Sequence, residues 1–264
     1  MKFAFLGAGK MAGAMVSGLT QSEFCAATDI VVSGRSKAAL EAFSASTGVR
    51  TVSSNAAAVE EADVVFLCVK PGDAPAALSS ALPGMKGRLL ISVAAGLRTS
   101  GIEALLPASR VVRAMPNTAA AVRRSATAIS GGASASAEDT ALATRVFESL
   151  GQVFVVPEDQ MDVVTALCGS GPAFLYLVIE AMIEGAVASG LPRKLARDLA
   201  VATLDGTAAL ASRTGDHPAL LREAVTSPGG TTIAGLLALE NAAVRAAFAA
   251  AIKAASARAK ELAL

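Results

Sequence analysis

Residues 2–12 read Lys2-Phe3-Ala4-Phe5-Leu6-Gly7-Ala8-Gly9-Lys10-Met11-Ala12, and this stretch decides the fold. Lys2 to Leu6 form a short apolar run halted by glycine, the pattern of a buried strand. A helix follows at once and runs through Met15, Val16 and Leu19. The intervening Gly7-x-Gly9-x-x-Ala12 is the alanine-ending form of the dinucleotide fingerprint, in the strand, turn and helix setting that gives the motif its meaning. Gly7 permits the sharp turn, Gly9 lets a pyrophosphate approach the main chain, and Ala12 lets the helix pack closely on the strand. Ala8, Lys10 and Met11 complete the expected pyrophosphate loop. A purely structural glycine turn is the alternative, and the position directly after the first strand of an alternating pattern argues against it.

The second strand, expected near residues 29–33, ends where a protein selecting the non-phosphorylated dinucleotide places an acid for the ribose hydroxyls. No acid stands there: the sequence is Ser33-Gly34-Arg35-Ser36-Lys37. Arg35 suits a 2′-phosphate through its planar fork, and Ser33, Ser36 and Lys37 add hydroxyls and charge. NADPH is therefore the expected cofactor, with NADH as the weaker option. The competing view makes Arg35 and Lys37 ordinary solvated charges at a helix start.

Strand-like runs recur near residues 63–69, 88–93, 110–114, 126–130 and 152–156, with helical patterns between most of them. That alternation predicts an α/β fold with a Rossmann-type, doubly wound, mainly parallel sheet. After Val156-Pro157 the strand signals stop, and the remainder reads as helices punctuated by Gly171-Pro172, Gly190-Leu191-Pro192, Gly215 to Pro218 and Ser227 to Gly230. The expected domains are a dinucleotide-binding unit over 1–157 and an all-helical unit over 158–264.

Ligands in such sheets sit beyond the carboxyl ends of the strands. Three loops there carry candidates: Val69-Lys70-Pro71, Ala94-Ala95-Gly96 and Met115-Pro116-Asn117-Thr118. Val69, Lys70, Pro71, Ala95 and Asn117 are assigned to the cofactor, with Thr118 beside them; a solvated lysine and a turn-capping amide are the plainer readings of Lys70 and Asn117.

At the other end of the chain, Thr226-Ser227-Pro228-Gly229-Gly230-Thr231-Thr232 crowds hydroxyls and flexible amides at a helix mouth. Pro228 fixes one backbone angle, and the two glycines keep Cβ atoms away from a ligand. The first amides of the following helix have no intrahelical partner and favour an anion, so a small carboxylate suits the turn. An N-cap and tight turn between two packed helices is the alternative.

The chain has 264 residues, a net charge of +1, 53% hydrophobic and 4% aromatic residues, and no Trp. A near-neutral balance offers no electrostatic grip on nucleic acid or an anionic membrane. The abundant alanines favour closely packed helices and self-association. The apolar start is broken by Gly7, Gly9 and Lys10 too early for a signal peptide, and Glu180 and Glu184 interrupt the run Leu175 to Leu191, so neither export nor a membrane span is expected. Cys25, Cys68 and Cys168 have neither metal-site nor disulfide spacing and are read as reduced thiols of a cytoplasmic protein. His217 sits in a loop signature, which leaves no histidine base, hydrolytic triad or metal set in view.

Taken in order, Gly7-Ala8-Gly9-Lys10-Met11-Ala12, Val69-Lys70-Pro71, Ala94-Ala95-Gly96, Met115-Pro116-Asn117-Thr118, Gly169-Ser170-Gly171-Pro172-Ala173 and Ser227-Pro228-Gly229-Gly230-Thr231-Thr232 resemble the successive motifs of pyrroline-5-carboxylate reductases. The resemblance spans nearly the whole chain, and its last two motifs are the specific ones. It implies reduction of the cyclic imine 1-pyrroline-5-carboxylate to L-proline, the final step of proline synthesis, usually with NADPH. It also implies a helical domain that intertwines with a second subunit, with a ring of such dimers as a further assembly. On this reading Ser227, Gly229, Gly230 and Thr231 bind the substrate carboxylate. Thr232 faces the imine nitrogen as the catalytic residue, and Gly169, Ser170 and Gly171 form the opposite wall. Phe174 stands where the family commonly has tyrosine, Cys168 where serine is usual, and Arg123-Arg124-Ser125 replaces a more acidic, glycine-containing stretch. Two readings compete: another Rossmann reductase such as a β-hydroxyacid dehydrogenase, against which stands the lack of lysine in residues 174–183, and a non-catalytic dinucleotide sensor.

Overall fold

A computed structural model describes residues 1–262. Two compact units divide these residues: Met1–Ser170 together with the C-terminal residues from Lys253 onward, and Gly171–Ile252.

Eight strands build the first unit: β1 (Phe3–Leu6), β2 (Ile30–Ser33), β3 (Arg50–Val52), β4 (Val64–Leu67), β5 (Leu89–Ser92), β6 (Arg110–Met115), β7 (Ser125–Gly131) and β8 (Gly151–Val155). They form one sheet in the order β3-β2-β1-β4-β5-β6-β7-β8, so the chain reverses its direction of winding between β1 and β4. All neighbours are parallel except β6 and β7. The Rossmann expectation therefore holds, and seven of the eight strands fall where the sequence places them. The extra strand, β3, is short and begins on the exposed Arg50, so apolar alternation gives it no signal.

A parallel sheet must be covered on both faces, and β1 shows how its sequence meets that demand. Successive side chains point to opposite faces. Phe3 and Phe5 enter one core with Val16, Phe66 and Phe147, while Ala4 and Leu6 enter the other with Leu67, Leu78 and Leu90. Phe5 stacks on Phe66 with ring centroids 4.6 Å apart, and Phe147 meets Phe66 edge-on at 6.3 Å. Such pairs contribute about 0.5–1.5 kcal/mol each beyond the area they bury.

Arg113, Asp139 and Asp162 are charges buried deep in this unit. Arg113 of β6 is 3% exposed, with Glu158 3.5 Å and Asp162 3.6 Å away. Glu158 in turn accepts the backbone N–H and the hydroxyl of Thr99, both at 2.7 Å, which closes the N-terminus of the helix Thr99–Leu105.

The second unit is helical. Gly171–Ala188 and Arg193–Thr214 form a hairpin whose turn ends on Gly190 (φ +101), with Leu191 N–H donating to Ala186 C=O at 3.0 Å. The helices Pro218–Ala224 and Thr231–Asn241 follow. Ala196 and Ala200 are the buried residues of this unit among the described residues. The helical run Glu158–Ala188 holds an 18-residue window of mean hydropathy 1.6, long and apolar enough by length and composition to cross a membrane, with 11% of that window buried. Glu180 and Glu184 lie within it, both exposed.

Candidate active site

Two helices have a glycine at the N-cap. Gly9 precedes the helix Lys10–Gln21 with φ −89° and ψ −178°, and Gly230 precedes Thr231–Asn241 with φ −81° and ψ 179°. Neither has a side-chain cap, whereas Ser36, Ser54, Ser136 and His217 close other helices with their own acceptors. The first-turn amides of both glycine-led helices are thus left for an outside anion. One such helix lies in each unit.

In the first unit the strand ends enclose a cleft of about 700 Å³. Gly7, Ala8 and Gly9 after β1, Gly34, Arg35 and Ser36 after β2, and Val69 and Lys70 after β4 share its wall. Gly7 has φ +112°, and a Cβ there would lie 2.8 Å from the carbonyl oxygen of Cys68, so only glycine lets the chain turn this close to β4. Ser36 Oγ accepts the Ala39 N–H at 3.3 Å, which leaves its O–H free to donate to a phosphate. Arg35 is largely exposed on the rim and pairs with Asp73 at 3.1 Å. These residues fit a dinucleotide with a phosphate on its adenosine ribose: glycines for the pyrophosphate, open amides at a helix start, and an arginine with a serine beside it.

Not every candidate reaches that wall. Ser33 is a correction: it is fully buried, and its hydroxyl donates to Asn55 Oδ1 at 2.6 Å and lies 3.3 Å from Phe5 O, so it serves the sheet rather than a ligand. Lys10 and Met11 are absent from the wall too; both lie in the first turn of the helix Lys10–Gln21, whose amides no side chain caps. Pro71 begins a short 3-10 turn, Pro71–Asp73, behind Lys70. Ala95 is half-buried in the turn after β5, and Asn117 caps the 3-10 helix Thr118–Val122; neither lines the cleft.

Among the wall residues that escaped the sequence reading are Asn55, Ser80 and Asp73. Asn55 Nδ2 donates to Ser80 Oγ at 2.8 Å, which ties the loop after β3 to the helix Ala74–Ala81. The Ser53-Ser54-Asn55 start before an alanine run was the available signal, since Ser54 is an N-cap.

Cys68 lies against this site, and burial pushes its thiol well above the usual cysteine range. Burial also raises Cys168. Both shifts keep the thiols protonated at neutral pH, and the thiolate is the reactive form.

In the second unit, Ser227-Pro228-Gly229-Gly230 is a tight turn. Gly230 N–H donates to Ser227 C=O at 3.2 Å, and Gly229 has φ +65°. Proline second and a positive-φ glycine third are what a type II turn requires. A Cβ on Gly230 would collide with Ser227 Oγ, so the serine hydroxyl sits directly over the helix mouth. Thr231 is exposed and Thr232 half-buried at the first helical turn. Gly169 and Ser170 end a π turn, Thr165–Gly169, in which Ser170 N–H donates to Thr165 C=O at 2.9 Å, and Gly171 starts the next helix.

Sheet, glycine cleft and appended helices define a dinucleotide-dependent oxidoreductase built on a Rossmann unit. Residues 158–262 match the family model described as pyrroline-5-carboxylate reductase dimerisation, and residues 2–96 match that of NADP oxidoreductase, coenzyme F420-dependent. The pyrroline-5-carboxylate reductase of Methanosarcina acetivorans is 45% identical, over 99% of this chain and 97% of that protein. The solved pyrroline-5-carboxylate reductase of Coxiella burnetii superposes with a TM-score of 0.88 at 38% identity, covering 100% of this chain and 98% of the other. The Plasmodium falciparum pyrroline carboxylate reductase with NADP bound superposes at 0.92 with 28% identity, covering 100% and 98%. The chain belongs to the pyrroline-5-carboxylate reductase family.

Proposed function

We propose that this chain reduces 1-pyrroline-5-carboxylate to L-proline with NADPH, the last step of proline biosynthesis, with NADH as a poorer reductant. The observation that carries this reading is the pair of glycine-led helices, one suited to a pyrophosphate and one to a small carboxylate, in a chain similar to such reductases along its whole length.

NADPH supplies the hydride when bound. Gly7, Ala8 and Gly9, with the amides of Lys10 and Met11, hold the pyrophosphate, and Arg35 and Ser36 take the ribose phosphate. Val69, Lys70 and Pro71, with Ala95 at a neighbouring strand end, flank the remainder. Ser227, the Gly229 and Gly230 backbone, and the Thr231 and Thr232 amides hold the carboxylate. The Thr232 hydroxyl stands by the imine nitrogen, and Gly169, Ser170 and Gly171 supply a second wall. A protonated pyrroline is already electrophilic at its C=N carbon, so holding the ring in place does most of the work and no strong protein acid is needed.

The helical unit joins two copies into a homodimer, and a ring of such dimers is the further assembly we favour. The three unpaired thiols support a cytosolic setting.

An NADPH oxidation assay tests the substrate. Pyrroline-5-carboxylate should be turned over in preference to pyrroline-2-carboxylate and to a panel of 2-keto acids; a keto acid consumed faster would overturn the reading. Thr232→Ala should lower kcat on the order of a hundredfold, as removing a transition-state hydrogen bond does, with the fold retained. Unchanged kinetics would take Thr232 out of the site.

A further inference from the structure

The segment that carries Gly169 and Ser170 is tied to the sheet side by a side-chain hydrogen bond. A helix ordinarily satisfies the carbonyl of residue 168 with the N–H of residue 172, but residue 172 is proline and has none. The π turn at Thr165–Gly169 already displaces the hydrogen-bond ladder there, and π turns inside helices recur at functional sites. An unsatisfied carbonyl at this point would cost on the order of 1–3 kcal/mol if kept from water. Asn117, on the loop leaving β6, fills the gap: its Nδ2 donates to Cys168 C=O at 3.2 Å.

The other end of the same amide is engaged as well. Asn117 Oδ1 accepts the Ala119 N–H at 3.1 Å and so caps the 3-10 helix Thr118–Val122. Turning the amide over would set nitrogen against N–H and oxygen against carbonyl, so its orientation is fixed by its partners. Its own N–H donates to Ser125 Oγ at 3.1 Å, which locks the loop to β7. The neighbouring Met115 places its methyl under Gly169, at the point a Cβ there would need. Arg113, two residues before Met115 on β6, sets the ion pairs with Glu158 and Asp162 described above, so β6 and its exit loop grip the run 158–170 near both ends.

We propose that Asn117 is a positioning residue: its side chain latches the π turn to the sheet and sets Gly169 and Ser170 in place before any ligand arrives, and it does not bind the cofactor through its amide. The consequence for catalysis rests on the assignment of Gly169 and Ser170 to the substrate wall, whereas the latch itself does not.

Asn117→Asp separates the two ends of the amide. An aspartate keeps the capping oxygen but turns an oxygen toward the Cys168 carbonyl, and Asn117→Ser keeps a cap while falling short of the π turn. In the cofactor-free protein, hydrogen exchange at the Ser170 amide should speed up on the order of tenfold in both variants, the size of one hydrogen bond. The Kd for NADPH should stay within about twofold, and the KM for pyrroline-5-carboxylate should rise more than kcat falls. Unchanged exchange in both variants overturns the latch. A weakening of NADPH binding beyond about tenfold overturns it too, because the amide would then be a cofactor contact. If wild-type protein proved inactive on the imine, the exchange measurement would still decide the latch while the proposed function fell alone.

Discussion

In the sheet unit Phe5, Phe66 and Phe147 are wholly buried, whereas in the helical unit Leu175, Leu177 and Leu199 are about half exposed or more. Both sequences are apolar, so the contrast lies in what covers the side chains. A doubly wound sheet covers its central strands with the helices between them, so that core is closed within one chain even though Phe154 and Val155 of the edge strand β8 are exposed. The helical unit has nothing comparable: its buried positions among the described residues are the small side chains of Ala196 and Ala200. Exposed apolar surface on this scale marks an interaction face, and residues 158–262 match a dimerisation family. The contrast predicts that the sheet unit is stable by itself and that the helical unit depends on a second copy and on protein concentration.

The strongest way to break this comparison is a charge in the helical face. Leu177→Asp should weaken self-association on the order of a hundredfold or more, as loss of a central apolar anchor does, and should lower the melting temperature of the helices at every concentration of a dilution series. Sedimentation equilibrium reads the first effect and thermal melts over a dilution series the second. NADPH affinity should stay close to wild type. A variant that remains dimeric at low micromolar concentration would show that the exposed leucines of Gly171–Ala188 face solvent and not a partner.

Gly7→Ala makes the reciprocal cut. Its φ of +112° lies outside what an L-residue adopts easily, and the new methyl would press on the Cys68 carbonyl. Backbone strain of this kind costs about 1–3 kcal/mol, so NADPH binding should weaken roughly tenfold to a hundredfold while the dimer persists. Fluorescence titration of NADPH and sedimentation of the same sample check both halves of that statement.

The two units also differed in how far their sequences could be read. Strong apolar runs and glycine punctuation located most of the sheet, because local pattern and tertiary burial agree there. β3 escaped since an edge strand of three residues starting on Arg50 carries no period. Ser33 misled for a related reason. A serine at a strand end looks available, yet the strand is buried on both faces and the hydroxyl turns inward to Asn55. Asp73 and Asn55 reach the cleft from elements 38 and 20 residues beyond Arg35, and no local signal pairs them with it. In the helical unit the turn at Ser227 to Thr232 was legible as an anion mouth, since proline and two glycines before a helix restrict the backbone so tightly. What the second copy covers was not, because periodicity reports an apolar face and not its partner.

A finer test lies within the cleft. Arg35 is paired with Asp73 in the free protein, so an incoming 2′-phosphate must compete with a carboxylate for the guanidinium. Asp73→Asn should strengthen NADPH binding up to about fivefold, the scale of an exposed ion pair, and leave NADH nearly unchanged. Arg35→Asp should abolish the preference for NADPH; an undiminished preference would remove Arg35 as its determinant.

The smallest effect is a matter of pH and again contrasts the units. Each carries an exposed carboxylate held by a neighbouring cation: Glu61 by Lys2 in the sheet unit, and Glu240 by Arg245 beside the break between Thr231–Asn241 and Val244–Glu261. The hydrogen bond from Lys2 lowers Glu61 below the usual glutamate range, and that from Arg245 does the same for Glu240. A carboxylate lowered in the folded state contributes stability that is fully present above its ordinary value and is lost as pH falls through the lowered one. Both contributions should therefore be intact at neutral pH and fade in the acid range below about 4.5. Glu240→Gln should shrink the melting difference between neutral and acid solution slightly for the helical transition alone, and Glu61→Gln should do so for the sheet unit alone. Both effects should diminish in molar salt, which screens exposed pairs. If either substitution shifted the two transitions equally, the units would be melting as one, and the division between a self-sufficient sheet and a partner-dependent helical half would not hold.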